Sequence, residues 1–194
     1  MSKKHQLTKT DYLSTEEYQK LITGLHEDHD VLGETYARIA KATALRISDV
    51  LRIKWGQVLV SKFTFDEQKT KKRRPIPFAE KTLEIMRELY DMNGSPGLDS
   101  LVFMNNKTGK PYTKQHINQC MKVWKSKYHL NVGNFSSHSF RKSFGRELWD
   151  KMNNSDYALT TLSEIFNHSN IAITRRYLGI RDEEIAEAYE MIEV

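Results

Sequence analysis

Along this 194-residue chain apolar residues recur at helical spacing almost everywhere, and one stretch breaks the period. Between residues 57 and 78 the pattern turns to strands: Val58-Leu59-Val60, then Lys62-Phe63-Thr64-Phe65, then Pro75-Ile76-Pro77. A period of two sends successive side chains to opposite faces of a strand, whereas spacings of three and four line one side of a helix. A chain patterned this way combines helical segments with a strand-rich stretch at 57–78.

The helical stretches carry their own start signals. Ser14 and Glu17 have capping-box spacing ahead of a stripe of Tyr18, Leu21, Ile22 and Leu25. A second helical segment covers residues 32–44, and Ser48 is placed to cap a short helix with Val50 and Leu51, leaving Arg46 in the turn upstream. Leu83, Met86, Leu89 and Tyr90 mark a helix over 79–92, ended by the breaker Asn93-Gly94-Ser95-Pro96-Gly97. Leu101-Val102-Phe103 reads as a brief buried strand, and 105–111 as a turn-rich link. Thr113 caps a helix that turns Ile117, Cys120, Met121, Trp124 and Tyr128 inward. Ser136 or Ser137 caps the next, which carries His138 and Arg141, with Phe140, Phe144, Leu148 and Trp149 toward the core. Residues 151–157 read as a polar loop, and Thr161 with Glu164 as another capping box. Asn170 is placed to cap the segment of Tyr177, and 182–194 form a last amphipathic helix through Ile185, Tyr189 and Ile192. Residues 1–11 are polar and basic and read as a flexible lead-in or linker, leaving one domain over 12–194.

Composition narrows the class. With 39% hydrophobic residues, nine Gly and four Pro the chain is globular. It has neither an apolar run near eighteen residues nor a charged-then-apolar leader, so no membrane span or secretory signal is predicted and a cytoplasmic protein is expected. Cys120, the only cysteine, excludes an intrachain disulfide and a cysteine-rich zinc module, and its helical spacing from Ile117 and Trp124 makes it a core residue. The net charge of +5 allows a polyanionic partner. His26-Glu27-Asp28-His29-Asp30 has metal-ligand residue types, but no further ligand set accompanies it, and it reads as a solvated loop.

Chemistry gathers near the C-terminus. His138 and Arg141 share one helix face, and His168 precedes Tyr177 by nine residues. A phenol beside imidazoles and guanidiniums suits attack on a phosphate: the phenol is the nucleophile, the cations hold phosphoryl charge, and an imidazole accepts or shares a proton. Read alone, Arg46 is an ordinary surface arginine, which Asp49 can orient unless it only favours the helix N-terminus. The run Lys69-Thr70-Lys71-Lys72-Arg73-Arg74 is either a solvated hairpin tip or a basic tip that lies along a phosphate backbone.

Taken in order, these residues resemble the catalytic domain of the tyrosine recombinases, the phage-integrase type, from about Tyr12 to the C-terminus. Ala44-Leu45-Arg46-Ile47-Ser48-Asp49 is similar to the family's first arginine box, His138-Ser139-Phe140-Arg141 to its H-x-x-R box, His168 with Tyr177 to its terminal box, and Lys69-Thr70 to its β-hairpin lysine. The resemblance implies a mixed α+β fold, mainly helical, with a small antiparallel β-sheet near residues 57–78. It implies a site-specific DNA recombinase in which Tyr177 attacks one strand, leaving a 3′-phosphotyrosine and a free 5′-hydroxyl, without ATP. Arg46 and Arg141 would grip the non-bridging oxygens, Lys69 would protonate the leaving oxygen, His138 would move the tyrosine's proton and His168 would stabilise phosphoryl charge. No metal or other cofactor is implied. Lys71, Lys72, Arg73 and Arg74 would meet the double-stranded DNA, on which a monomer would assemble into a homotetramer.

Two features depart from the family pattern: Asn167 stands where glycine is usual, and the loop around Asn153-Asn154-Ser155 is a few residues longer. Asn167 is expected in the left-handed conformation, where asparagine is the next best residue. The chain also begins almost at the catalytic domain, as a fragment or as a compact member of the family such as the fimbrial phase-inverting recombinases. A type IB topoisomerase-like enzyme and a non-enzymatic DNA-binding module are the competing readings. A phosphatase or a metal-dependent nuclease is disfavoured, for want of a reactive cysteine or a carboxylate cluster.

Overall fold

Helix α1 (Thr15–Glu27) begins where the Ser14 hydroxyl accepts the Glu17 amide, and it buries the expected stripe of Tyr18, Leu21, Ile22 and Leu25. The computed structural model to which it belongs describes residues 10–69, 72–105 and 107–192. The domain starts slightly earlier than its composition suggests. Thr10 hydrogen-bonds Ser136, and Asp11 exchanges hydrogen bonds with Asn134, so the last two residues of the expected lead-in are tied to the loop before α7 (Ser137–Lys151). Residues 1–9 lie outside the described residues.

Two apolar clusters organise the molecule. In the first, Tyr36 of α2 (Val31–Thr43) meets Phe103 and Phe140 edge-on at 5.7 and 5.8 Å, and Ile117, Met121 and Trp124 of α6 (Lys114–Lys127) close over it. The second joins Leu159, Leu162 and Phe166 of α8 (Asp156–Phe166) to Leu178 of α9 (Ile171–Leu178) and to Ile180. Helix α7 spans both, with Phe140 in the first and Phe144, Leu148 and Trp149 against the second. Gly145 makes the second contact possible: a Cβ there would stand 2.7 Å from Leu178 and 2.8 Å from Phe166.

Strands β1 (Lys62–Asp66) and β2 (Arg73–Pro77) form the expected antiparallel hairpin, Phe63 opposite Ile76 and Phe65 opposite Arg74. Val58-Leu59-Val60 is not part of it. Trp55 and Val58 are both buried three residues apart, which a helical turn satisfies and a strand does not, and they form α4 (Trp55–Val58). Helix α5 (Glu80–Met92) follows and turns Leu83, Met86 and Leu89 inward. Leu101 makes only an isolated bridge to Lys54. The strand pair instead falls later, as β3 (Met104–Asn105) against β4 (Lys110–Pro111), inside the stretch expected to be a link.

Two helix starts differ from expectation, and a third falls on one of the two serines expected. Arg46, not Ser48, is the N-cap residue of α3 (Ile47–Val50). Ser136 caps α7. Ser155 accepts the Ala158 amide and starts α8 five residues before Thr161, whose hydroxyl only bonds back to the Tyr157 carbonyl. The long link before α8 resolves into consecutive left-handed asparagines, Asn153 and Asn154, whose amides close on the end of α7. The acidic and histidine cluster near residue 28 is divided among separate partners: His26 faces Glu34, Asp28 takes Lys127 and Tyr128, and Asp30 caps α2 and accepts from Trp124. Among the described residues no helix is long and apolar enough to cross a membrane.

Candidate active site

The site forms where α2 and α8 end. The last carbonyls of a helix lack partners within it and carry its negative dipole end, so two converging C-termini attract cations. Arg141, 2% exposed, donates to the Ala44 carbonyl at the α2 C-cap and, at 2.8 Å, to the carbonyl of Phe166 at the end of α8, and its guanidinium lies 4.5 Å from the Phe166 ring. Arg74 does the same one residue earlier on each helix, bonding the carbonyls of Thr43 and Ile165. Burial lowers the pKa of both, that of Arg141 to about 10, which still leaves it cationic at neutral pH.

Arg46 completes the group through a carboxylate the sequence reading did not single out. Glu67, 2% exposed, accepts from Arg46 at 2.9 Å and lies 3.5 Å from Arg74. Asp49 does not orient Arg46. It is buried, accepts the Gln68 amide at 2.9 Å and lies 3.6 Å from Arg52, so it anchors the hairpin to α3. The signal for Glu67 was present in the strand period: Phe63, Phe65 and Glu67 alternate inward, and a carboxylate on that face needs a cation.

The terminal box folds as its spacing predicts. Asn167 ends α8 in the left-handed conformation (φ 52°, ψ 50°), and its amide and that of His168 close back on Glu164 and Ser163. Asn170 caps α9 by accepting the Ile173 amide. The Tyr177 ring then stands edge-on to three rings, His168 at 5.3 Å, Phe166 at 5.4 Å and His138 at 6.4 Å. Lys142, buried to 6% exposure and directly after Arg141 in sequence, sets its Nζ 5.2 Å from the same ring. No period or motif had marked Lys142.

The Tyr177 hydroxyl is buried without a hydrogen-bond partner among the described residues. Burial pushes its pKa up to about 12, and Arg141 and then Arg46 pull the other way. Arg141 comes near enough to favour the phenolate without forming a well-formed hydrogen bond, and the phenol is neutral at rest, so it would have to lose its proton to act as a nucleophile. His138, at the solvent edge, is held below its ordinary pKa by partial burial and then by Arg141, Arg46, Lys142 and Lys69. A neutral imidazole with a free lone pair can take that proton. His168 is lowered to about 4, by burial first and then by Arg141 and Arg46, so it faces the site as a neutral donor or acceptor.

The basic run divides. Lys69 is exposed at the hairpin tip, with its charge within reach of His138. Lys71 lies outside the described residues. Lys72 Nζ donates to the Asn167 side chain at 2.7 Å, and Arg73 pairs with Asp66 on the open face at 3.3 Å. Arg74 departs from the expected DNA-facing row. It points inward because the ends of α2 and α8 supply carbonyls that no backbone amide satisfies.

Similarity to known proteins agrees with this arrangement. Residues 11–184 match the model of the phage integrase family. A probable integrase/recombinase, YoeC, of Bacillus subtilis is 27% identical over 77% of this chain and 78% of its own length. The tyrosine recombinase XerC of Proteus mirabilis is 28% identical over 79% of this chain and 46% of its own length, so the chain spans under half of that relative. The fold matches the XerH site-specific recombinase, solved in a post-cleavage complex with its palindromic difH substrate, with a TM-score of 0.71 at 18% identity over 96% of this chain and 55% of that one. The chain belongs to the phage integrase family and has the mainly helical catalytic-domain fold of the tyrosine recombinases.

Proposed function

We propose that this protein is a site-specific DNA recombinase that acts in the cytoplasm on double-stranded DNA. The observation that carries the reading is the Tyr177 phenol, buried beside Arg141 and between two imidazoles. Tyr177 Oη attacks the scissile phosphorus and the bond to the 5′-oxygen breaks, leaving a 3′-phosphotyrosine. The phenol proton passes to His138, and the leaving oxygen takes a proton from Lys69. Arg46 and Arg141 hold the non-bridging oxygens, and Lys72 and Arg73 contact the flanking backbone. A 5′-hydroxyl from a second strand reverses the step, so the bond energy is conserved.

The test is a nicked suicide duplex carrying a site selected from a randomised pool. A denaturation-resistant protein–DNA adduct is expected, in excess EDTA as well as without it. Complete loss of the adduct in EDTA with recovery in Mg²⁺ would reject this mechanism. Lys69→Ala should slow adduct formation on the order of 10²–10⁴-fold. Much of that loss should return when sulfur replaces the leaving oxygen, because a thiolate leaves without a proton donor. No rescue by sulfur would move the acid to Lys71 or Lys72.

The assembly we propose rests on α10 (Ile180–Glu190). Its first turn is anchored by buried Ile180 and by the Arg146–Glu183 and Arg175–Glu184 pairs, while Ile185, Tyr189 and Ile192 face solvent, Tyr189 at 78% exposure. A monomer in solution then becomes a homotetramer on DNA, each exposed tail covering a neighbour. Ending the chain after Glu184 keeps the anchors, and it should spare binding and cleavage while reducing exchange between two duplexes. Normal exchange by the truncated protein would rule out the tail as the coupling element.

A further inference from the structure

Thr174 is fully buried on α9, one turn before Tyr177, and its Oγ1 lies 2.9 Å from His168 Nδ1. Among the described residues Thr174 Oγ1 forms no other hydrogen bond, and His168 Nε2 forms none. A neutral imidazole offers one N–H and one lone pair, so two arrangements fit this contact. In one the hydroxyl donates to Nδ1 and the ring proton sits on Nε2. In the other Nδ1–H donates to the hydroxyl, whose own proton then has no acceptor in a place closed to water. That second arrangement also turns a bare lone pair toward the anion that Arg46 and Arg141 would hold.

Building on the recombinase reading, we infer that Thr174 is a positioning residue whose hydroxyl donates to His168 Nδ1 and so keeps the ring proton on Nε2, directed at a non-bridging phosphate oxygen. The ring is uncharged at neutral pH, its pKa lying near 4, so tautomer rather than charge decides whether it repels or binds the phosphate. The bond also ties α9 to the turn that holds His168. The ring orientation of His168 and the placement of Tyr177, 5.3 Å apart between centroids, therefore share this contact.

The test reads the tautomer directly, from long-range ¹⁵N–¹H correlations of ring-labelled histidines in the DNA-free native protein, Thr174→Val and Thr174→Ser at neutral pH, with His168→Gln assigning the signal. Native and Ser proteins should carry the proton on Nε2, and the Val protein should shift toward Nδ1–H. A native proton on Nδ1, or a Val spectrum identical to native, overturns the inference. On the selected suicide duplex, at a temperature where every variant is fully folded, Thr174→Val should form adduct at least about tenfold more slowly at unchanged DNA affinity, as when the outer partner of a metal-binding histidine is removed, and Thr174→Ser should restore the rate. A shifted tautomer with an undiminished rate would overturn the phosphate-facing role. If the native protein forms no adduct while its proton sits on Nε2, the recombinase reading fails and the Thr174 hydrogen bond stands.

Discussion

Tyr177→Phe should fold, bind DNA and form no covalent adduct, the largest effect expected of any single substitution in this chain. The ring keeps its contacts with His168, Phe166 and His138, and only the attacking oxygen is lost. Stability should not fall, and should rise, because the native hydroxyl is buried without a partner among the described residues. An unsatisfied buried polar group costs about 1–3 kcal/mol, so its removal returns part of that to the folded state. A denaturing gel on the suicide duplex and a thermal melt measure both arms. A DNA-linked band from the Phe variant would mean a second nucleophile, with the exposed Tyr157 of α8 the next to replace. A clear drop in melting temperature would mean that the hydroxyl has a structural partner after all. Storing an unsatisfied group where chemistry occurs is the familiar exchange of stability for activity at a functional site.

Arg141→Lys should lose both activity and stability, because the guanidinium that closes two helix ends is also the proposed phosphate ligand. One face closes the ends of α2 and α8 through Ala44 and Phe166, and in the proposed mechanism the remainder would grip the phosphate. Lysine keeps the charge but not the planar fork, so it cannot bond two helix ends and a phosphate at once. Cleavage should fall on the order of 10²–10³-fold, the cost of losing one preorganised donor to a developing oxyanion. The urea midpoint should drop by the equivalent of about 1–3 kcal/mol, the cost of one buried carbonyl left unpaired. Lys69→Ala is the contrast: it is exposed, so its activity loss should come without a stability change. Loss of activity in Arg141→Lys with an unchanged midpoint would show that the helix ends do not depend on it. Loss of stability with cleavage intact, once corrected for unfolded protein, would remove Arg141 from the phosphate.

The helices that carry His138, Arg141 and Tyr177 and the cap residues Ser14, Thr113 and Asn170 follow from local rules, whereas Arg46 stands out only through the family resemblance and the Asp30 cap reads in sequence as part of a solvated loop. Helical period, capping side chains and the left-handed preference of Asn167 act within a few residues of one another, and so they are legible in one dimension. The strand period between 57 and 78 likewise located the hairpin, and it misread only Val58-Leu59-Val60, where an apolar run is compatible with either period. What lay beyond those rules was pairing across distance. Nothing near Arg46 in sequence names Glu67 as its partner. Nothing near Arg74 says that two helix ends will turn it inward, and nothing near His168 says that its ring nitrogen meets a threonine on the next helix. Those choices were made by which helices end beside one another. Unsatisfied carbonyls, a buried carboxylate and a buried threonine hydroxyl acquire partners only once the two apolar clusters have packed, and that packing exists only in three dimensions.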